Sequence, residues 1–214
     1  MLNDRLDTPG RRGLAREAVR LAVVERADLP DLPTWAGKLE RATGNARTMT
    51  LLAFAHDVMT GVDISAVVVA LNHVMKDADP NAGSEEERGL LGLVGGNDVG
   101  AYAAILKAMA IKRTVHRPEM LEAVCEAAVL AGQNSTRTLT EAAAYVRDKR
   151  ANDGRKLGAR SIGSTLLLKG MEADHTVVLD ADKMKPTDIY VAISRASRSL
   201  TVVSKSPVLP LRRT

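Results

Sequence analysis

The sequence predicts an α/β protein in two parts: a mainly helical region over residues 1–152, then a small α/β unit over residues 153–214. Three observations lead there. Apolar residues recur at spacings of three and four as far as Arg150. Residues 151–163 (ANDGRKLGARSIG) then form a Gly-rich, basic connector that breaks the pattern. Beyond it, short apolar runs alternate with one helical stretch, the order of an α/β sheet. Composition agrees, since 45% of residues are hydrophobic but only 2% aromatic. Such a core is built from Leu, Val, Ile, Ala and Met.

Residues 12–28 read as a helix with Leu14, Ala18, Leu21 and Ala22 on one face, and Pro30 and Pro33 form a linker. Thr34 is placed to cap a short helix ending near Gly44, and a third helix spans Ala46 to Met59. Asp63 caps the next, whose Ile64, Val67, Val68, Leu71, Val74 and Met75 follow the helical period. Ser84 with Glu87 makes a capping box, the segment GGNDVG reads as a turn, and Tyr102, Ile105, Leu106 and Met109 mark another amphipathic helix. Pro118 suits the first position of a helix closed by Gly132. Thr138 with Glu141 forms a second capping box for a helix to about Arg150. After the connector, Ser164–Leu168, Val177–Leu179 and Leu200–Val203 read as strands, and Thr187 caps a helix from about Asp188 to Ala196. Strands over 164–168, 176–180 and 200–204 are expected side by side in one sheet. Ile189, Ala192 and Ile193 of the helix should face it.

Several function classes fall away. Cys125 is the only cysteine, which excludes an internal disulfide framework and any multi-cysteine zinc site. No apolar run reaches the roughly 18 residues needed to span a bilayer, and the first residues (MLNDRLDTPGRR) lack a signal-peptide apolar segment, so no membrane contact and a cytoplasmic setting are expected. The four histidines show no metal-ligand spacing, no G-x-S-x-G elbow occurs, and Cys125 sits on an apolar helix as a core residue. No metal ligand is expected in this chain. Charge is uneven: residues 1–150 carry 19 basic and 20 acidic side chains, residues 151–214 carry 11 and 6. A basic C-terminal third suits contact with phosphates, although an ordinary solvated basic face gives the same count.

Two apparent motifs fail on chemistry. Residues 158–165 (GARSIGST) have phosphate-loop spacing, but Ser164 stands where the lysine belongs, and a strand instead of a helix is expected to follow. Val177–Asp180 resembles a strand ending in a magnesium-binding acid, as many α/β strands do.

Two phrases are more specific. In the first, residues 164–180 (STLLLKGMEADHTVVLD), a Lys169-Gly170 turn and the acid Glu172 lie between two strands. In the second, residues 190–203 (YVAISRASRSLTVV), a helix presents Arg195 before a returning strand. An arginine held there is suited to stabilising charge on a transferring phosphoryl group.

In order and spacing these phrases resemble motifs V and VI of UvrD/Rep-type superfamily 1 DNA helicases, approximately K-G-L-E-F-[DP]-x-V and Y-V-A-[LM]-[TS]-R-A. The resemblance covers residues 160–205, about a fifth of the chain. It implies that residues 153–214 are the C-terminal part of a second RecA-like domain of the P-loop NTPase class. ATP with Mg2+ would be shared with a first RecA-like domain, absent here, that carries the Walker motifs. Arg195 would be the arginine finger, Glu172 would touch the nucleotide's sugar, and Gly170 would belong to the nucleotide-facing turn. Ser164 and Lys169 would contact single-stranded DNA. Departures are Met171 for Leu, Ala173 for the usual aromatic, and Leu166 where a strand-contacting histidine is often found. The expectation is a C-terminal helicase fragment or subunit, inactive alone, whose helical region corresponds to accessory or insertion material. Two other classes compete: a helical protein-interaction module with a relic α/β tail, and a free-standing nucleic-acid-binding protein.

Overall fold

The computed structural model describes residues 8–18, 20–76, 83–96, 98–133, 136–152 and 158–209. In chain order the elements are α1 (Thr8–Glu17), β1 (Ala22–Val23), α2 (Leu32–Arg41), α3 (Asn45–Val58), α4 (Ile64–Lys76), α5 (Glu85–Gly95), α6 (Ala101–Ile111), α7 (Pro118–Gln133), α8 (Leu139–Asn152), β2 (Ser161–Ile162), β3 (Ala173–Val178), α9 (Pro186–Ile193) and β4 (Ala196–Val202). Among the described residues the protein is mixed α/β and mostly helical, with two parallel two-stranded sheets. The chain divides into two compact units: residues 27–155, and residues 1–26 together with 156–214.

In the helical unit three of the four predicted N-terminal caps form. Asp63 Oδ1 accepts the Ala66 N–H at 3.0 Å ahead of α4. Before α5, Ser84 Oγ accepts from Glu87 N at 3.2 Å while Glu87 Oε2 accepts from Ser84 N at 2.6 Å. Thr138 and Glu141 exchange the same pair of bonds at 3.1 and 2.9 Å before α8. Each box satisfies backbone donors that a helix start leaves open. Helix α2 begins earlier than expected, with Asp31 at its N-cap and Pro33 in its first turn, so Thr34 lies inside it. Gly132 does not close α7, which runs on to Gln133. Its small size serves packing instead: a Cβ there would sit 2.9 Å from Gly100 Cα, at the start of α6.

Tyr102, Ile105, Leu106 and Met109 are all buried, as the period of α6 requires. They join Leu51, Leu52, Phe54, Met120 and Val124 in one core, with Trp35 edge-on to Phe54 at a centroid distance of 5.3 Å. Arg117 is wholly buried at the start of α7. It pairs with Asp31 at 2.9 Å and with Asp57, so its charge is matched by two carboxylates.

In the other unit, the expected helix over 12–28 is replaced by α1 and β1. Arg20 has a positive φ of 57°, and Val23 enters a parallel pair, Ala22 opposite Ser161 and Val23 opposite Ile162. The β-branched Val23–Val24 run prefers this extended state, and its strand partner is too distant in sequence for periodicity to reveal. This pairing is also why residues 1–26 group with 156–214 instead of the helical region in which the sequence placed them.

Residues 164–168 are not a strand. They form hydrogen-bonded turns, Leu168 N to Ser164 O at 3.1 Å and Met171 N to Leu168 O at 3.1 Å, with Ser164 Oγ accepting from Leu167 N at 3.4 Å. Leucine favours helical turns over strands, and the serine begins one. The single three-stranded sheet is accordingly absent from the described residues. Strand β3 pairs in parallel with β4, with a register shift between Ala173 and His175. Helix α9 starts at Pro186 and ends at Ile193, so Thr187 lies inside it and Ala196 already belongs to β4. Ile189 and Ala192 are buried against Val178, Ala181 and Leu168, while Ile193 stays 37% exposed.

Candidate functional site

The α/β unit contains a cleft of about 470 Å³. Its apolar lining comes from Ala18, Leu21, Leu168 and Met171, and Arg160, Glu172, His175 and Arg195 bring the charged and titratable groups. The segment after Gly170 and the end of α9 supply the two residues singled out in the sequence. Arg195 follows α9 immediately, and Glu172 immediately precedes β3. Two bonds lock these segments together: Ala173 N donates to Arg195 O at 2.9 Å, and Arg195 Nη1 donates to Met171 O at 3.1 Å.

Arg195 is half-buried and turned back on its own helix end. Its Nε donates to Val191 O at 3.0 Å and its Nη2 to Ser194 Oγ at 2.8 Å. A guanidinium over terminal helix carbonyls also complements the negative end of the helix dipole. Every acceptor it uses is neutral. Asp174 pairs with Arg198 at 3.4 Å and Asp180 with Lys183 at 2.8 Å, so neither of the acids that could have matched Arg195 does so. Three of its five N–H groups are engaged, which leaves two for a ligand among the described residues.

The other sequence-derived positions lie apart from the cleft lining. Gly170 has a φ of 82° and open space where a Cβ would be, so its lack of a side chain serves the turn's backbone conformation. Lys169 is exposed on the same turn, and the Ser164 hydroxyl is used within the preceding turn. The structure thus joins Glu172 to Arg195 but does not gather Ser164, Lys169 and Gly170 with them. The near-miss phosphate loop, residues 158–165, contains β2 and runs into the hydrogen-bonded turns that begin at Ser164, so the strand expected after it does not form, nor does a described helix open from it.

Sequence reasoning did not find Arg160, His175 or the N-terminal wall. His175 is held by Ser199, directly opposite in the sheet, at 2.7 Å. Arg160 O accepts from Ala22 N at 3.0 Å, which fixes its backbone beside β1. The basic run before residue 161 was the available signal for Arg160.

Two arginines and one carboxylate, Glu172, line the cleft beside Leu and Met side chains. Oxygen ligands for a magnesium ion are another matter. Among the described residues no three His, Cys, Asp or Glu side chains cluster. No helix among the described residues is long and apolar enough to cross a membrane. Comparison with protein-family models, with curated proteins and with solved structures gives no match to this chain.

Proposed function

We propose that the chain is a C-terminal portion of a UvrD/Rep-type superfamily 1 DNA helicase. It supplies one side of an ATP site, with Arg195 as the finger and Glu172 beside it, and does not turn over ATP alone. The observation that supports this most is the meeting of the two motif phrases at one cleft, through Ala173–Arg195 and Arg195–Met171 hydrogen bonds. A nucleotide's apolar base matches the cleft's Leu and Met side chains, and its anionic phosphates match the two arginines. The division of the chain agrees with this reading, because residues 27–155 interrupt the α/β unit between β1 and β2 as an insertion would. Contacts to single-stranded DNA through Ser164 and Lys169 have weaker support, since the serine hydroxyl is already engaged.

The test is complementation. The purified chain is mixed with a first-domain fragment that carries the phosphate loop and the magnesium-binding acids. DNA-stimulated ATP hydrolysis is expected from the mixture and from neither part. Arg195→Lys should lower the mixture's rate by about 10³-fold, the effect of losing an arginine finger, while Arg198→Ala stays near wild type. Hydrolysis by the chain alone, or an active mixture indifferent to Arg195→Lys, overturns the reading.

A further inference from the structure

A second surface lies in the helical unit, between α2 and α3, and owes nothing to the nucleotide reading. It is an open groove of about 530 Å³. Trp35, Lys38 and Arg41 recur every third residue along α2, which places them on one side of that helix. Facing them on α3 are Ala46, Met49 and Ala53. The alanines keep the floor low, and Met49 is 44% exposed.

Three features say what fits. First, the groove's charge is all of one sign. Lys38 and Arg41 are exposed, no acidic residue lines the groove, and neither cation has a carboxylate partner among the described residues. Second, the Trp35 ring is not a platform for a base. The Lys38 ammonium lies 4.6 Å from its centroid, and Phe54 packs edge-on against it. Third, the floor spans about two helical turns of α2 and α3, roughly 10 Å, and is made of small side chains plus one adaptable methionine. A floor of that length accepts two or three apolar side chains spaced three and four apart on an incoming helix.

We infer that the α2–α3 groove docks an amphipathic helix of another protein, with its apolar stripe on Ala46, Met49 and Ala53 and its acidic flank on Lys38 and Arg41. Single-stranded nucleic acid is the competing occupant, and the Lys38-covered tryptophan argues against it.

Trp35 is the only tryptophan in the chain, so its emission reports occupancy of this groove directly. A displayed library of short helical peptides is selected on the intact chain and counter-selected on the Lys38→Glu/Arg41→Glu variant. Both side chains are exposed and without ion pairs, but they lie in the last turn of α2 and Lys38 covers Trp35, so the variant should keep the wild-type circular dichroism spectrum and melt a few degrees lower. Enriched peptides should carry Asp or Glu beside an apolar stripe at helical spacing. They should shift Trp35 emission saturably, bind the double variant about tenfold or more weakly, and lose affinity as salt rises. Enrichment of basic or uncharged peptides, no enrichment over the variant, or a Trp35 response to oligothymidylate and not to the selected peptides would overturn the assignment.

Discussion

Replacing Arg195 with alanine tests whether its guanidinium is held as the structure shows it. The substitution removes hydrogen bonds to Val191 O, Met171 O and Ser194 Oγ. Bonds from a charged donor contribute about 1.5–3 kcal/mol each when buried. Arg195 is only half-buried and Ser194 is exposed, so roughly 1 kcal/mol for each carbonyl bond and nothing for the serine is the appropriate discount. The loss of a cation at the end of α9 adds about 0.3–1 kcal/mol. The sum is about 2–3 kcal/mol, which for a unit of this size lowers the melting point by about 10 °C or more. Arg198→Ala removes only an exposed pair with Asp174 and should shift melting by a few degrees at most. Lysine at 195 reaches one carbonyl and should fall between. The assay is thermal unfolding of the three variants by circular dichroism. Melting of Arg195→Ala within about 2 °C of wild type, or level with Arg198→Ala, would refute the reasoning. The guanidinium would then be unanchored before any nucleotide arrives.

Three further outcomes follow from the helical unit. Arg117→Met should cost less stability than the Asp31→Asn/Asp57→Asn pair in urea unfolding, because the two carboxylates are 38% and 27% exposed and can rehydrate, whereas the guanidinium cannot; the reverse order would refute this. Gly132→Ala should destabilise by about 1–3 kcal/mol despite the usual helix preference for alanine, since its Cβ would meet Gly100 backbone atoms, while Gly92→Ala, with open space, should gain up to about 1 kcal/mol. A stabilising Gly132→Ala would falsify that close approach. Burial pushes the Cys125 thiol up to about 11, with Glu122 adding to the shift and Lys107 opposing it, so the thiolate is scarce at pH 8. Disulfide reagents should therefore label the native protein at least about 100-fold more slowly than the urea-unfolded chain, and equal rates would contradict the burial.

Helix starts marked by a capping box were legible because that signal is local, whereas the lone threonines Thr34 and Thr187 fell inside their helices. Ser84 with Glu87, and Thr138 with Glu141, each place donor and acceptor three residues apart, and nothing distant can change that pairing. Strands were less legible. The Leu166–Leu168 run is equally apolar as strand or turn, and the decision lay with Ser164 capping the turn. Ala22–Val23 became a strand only because Ser161–Ile162 lies beside it, a partner that no window of sequence contains. The two main residues of the cleft, Glu172 and Arg195, were found because they sit inside ordered motif phrases. The anchoring of Arg195 was not found, because its partners are backbone oxygens, and every residue has one. Arg160 entered the cleft by lying next to β1, again a matter of long-range pairing.

The pairing of β1 with β2 has a consequence for biosynthesis. A parallel pair cannot close through a tight turn, and here the crossover is the whole helical unit, so about 140 residues separate Val23 from Ser161. At roughly 5–20 residues per second, the ribosome needs about 10–30 s to deliver the second strand. During that interval Val23 and Leu21 have no Ile162 to cover them, while the helices, whose contacts are closer in sequence, can already assemble. The nascent chain thus carries an uncovered apolar segment over residues 21–23 throughout that interval. A holdase or an early-folding neighbour would act there first, and slowing translation within residues 27–155 should lengthen the window for misassembly.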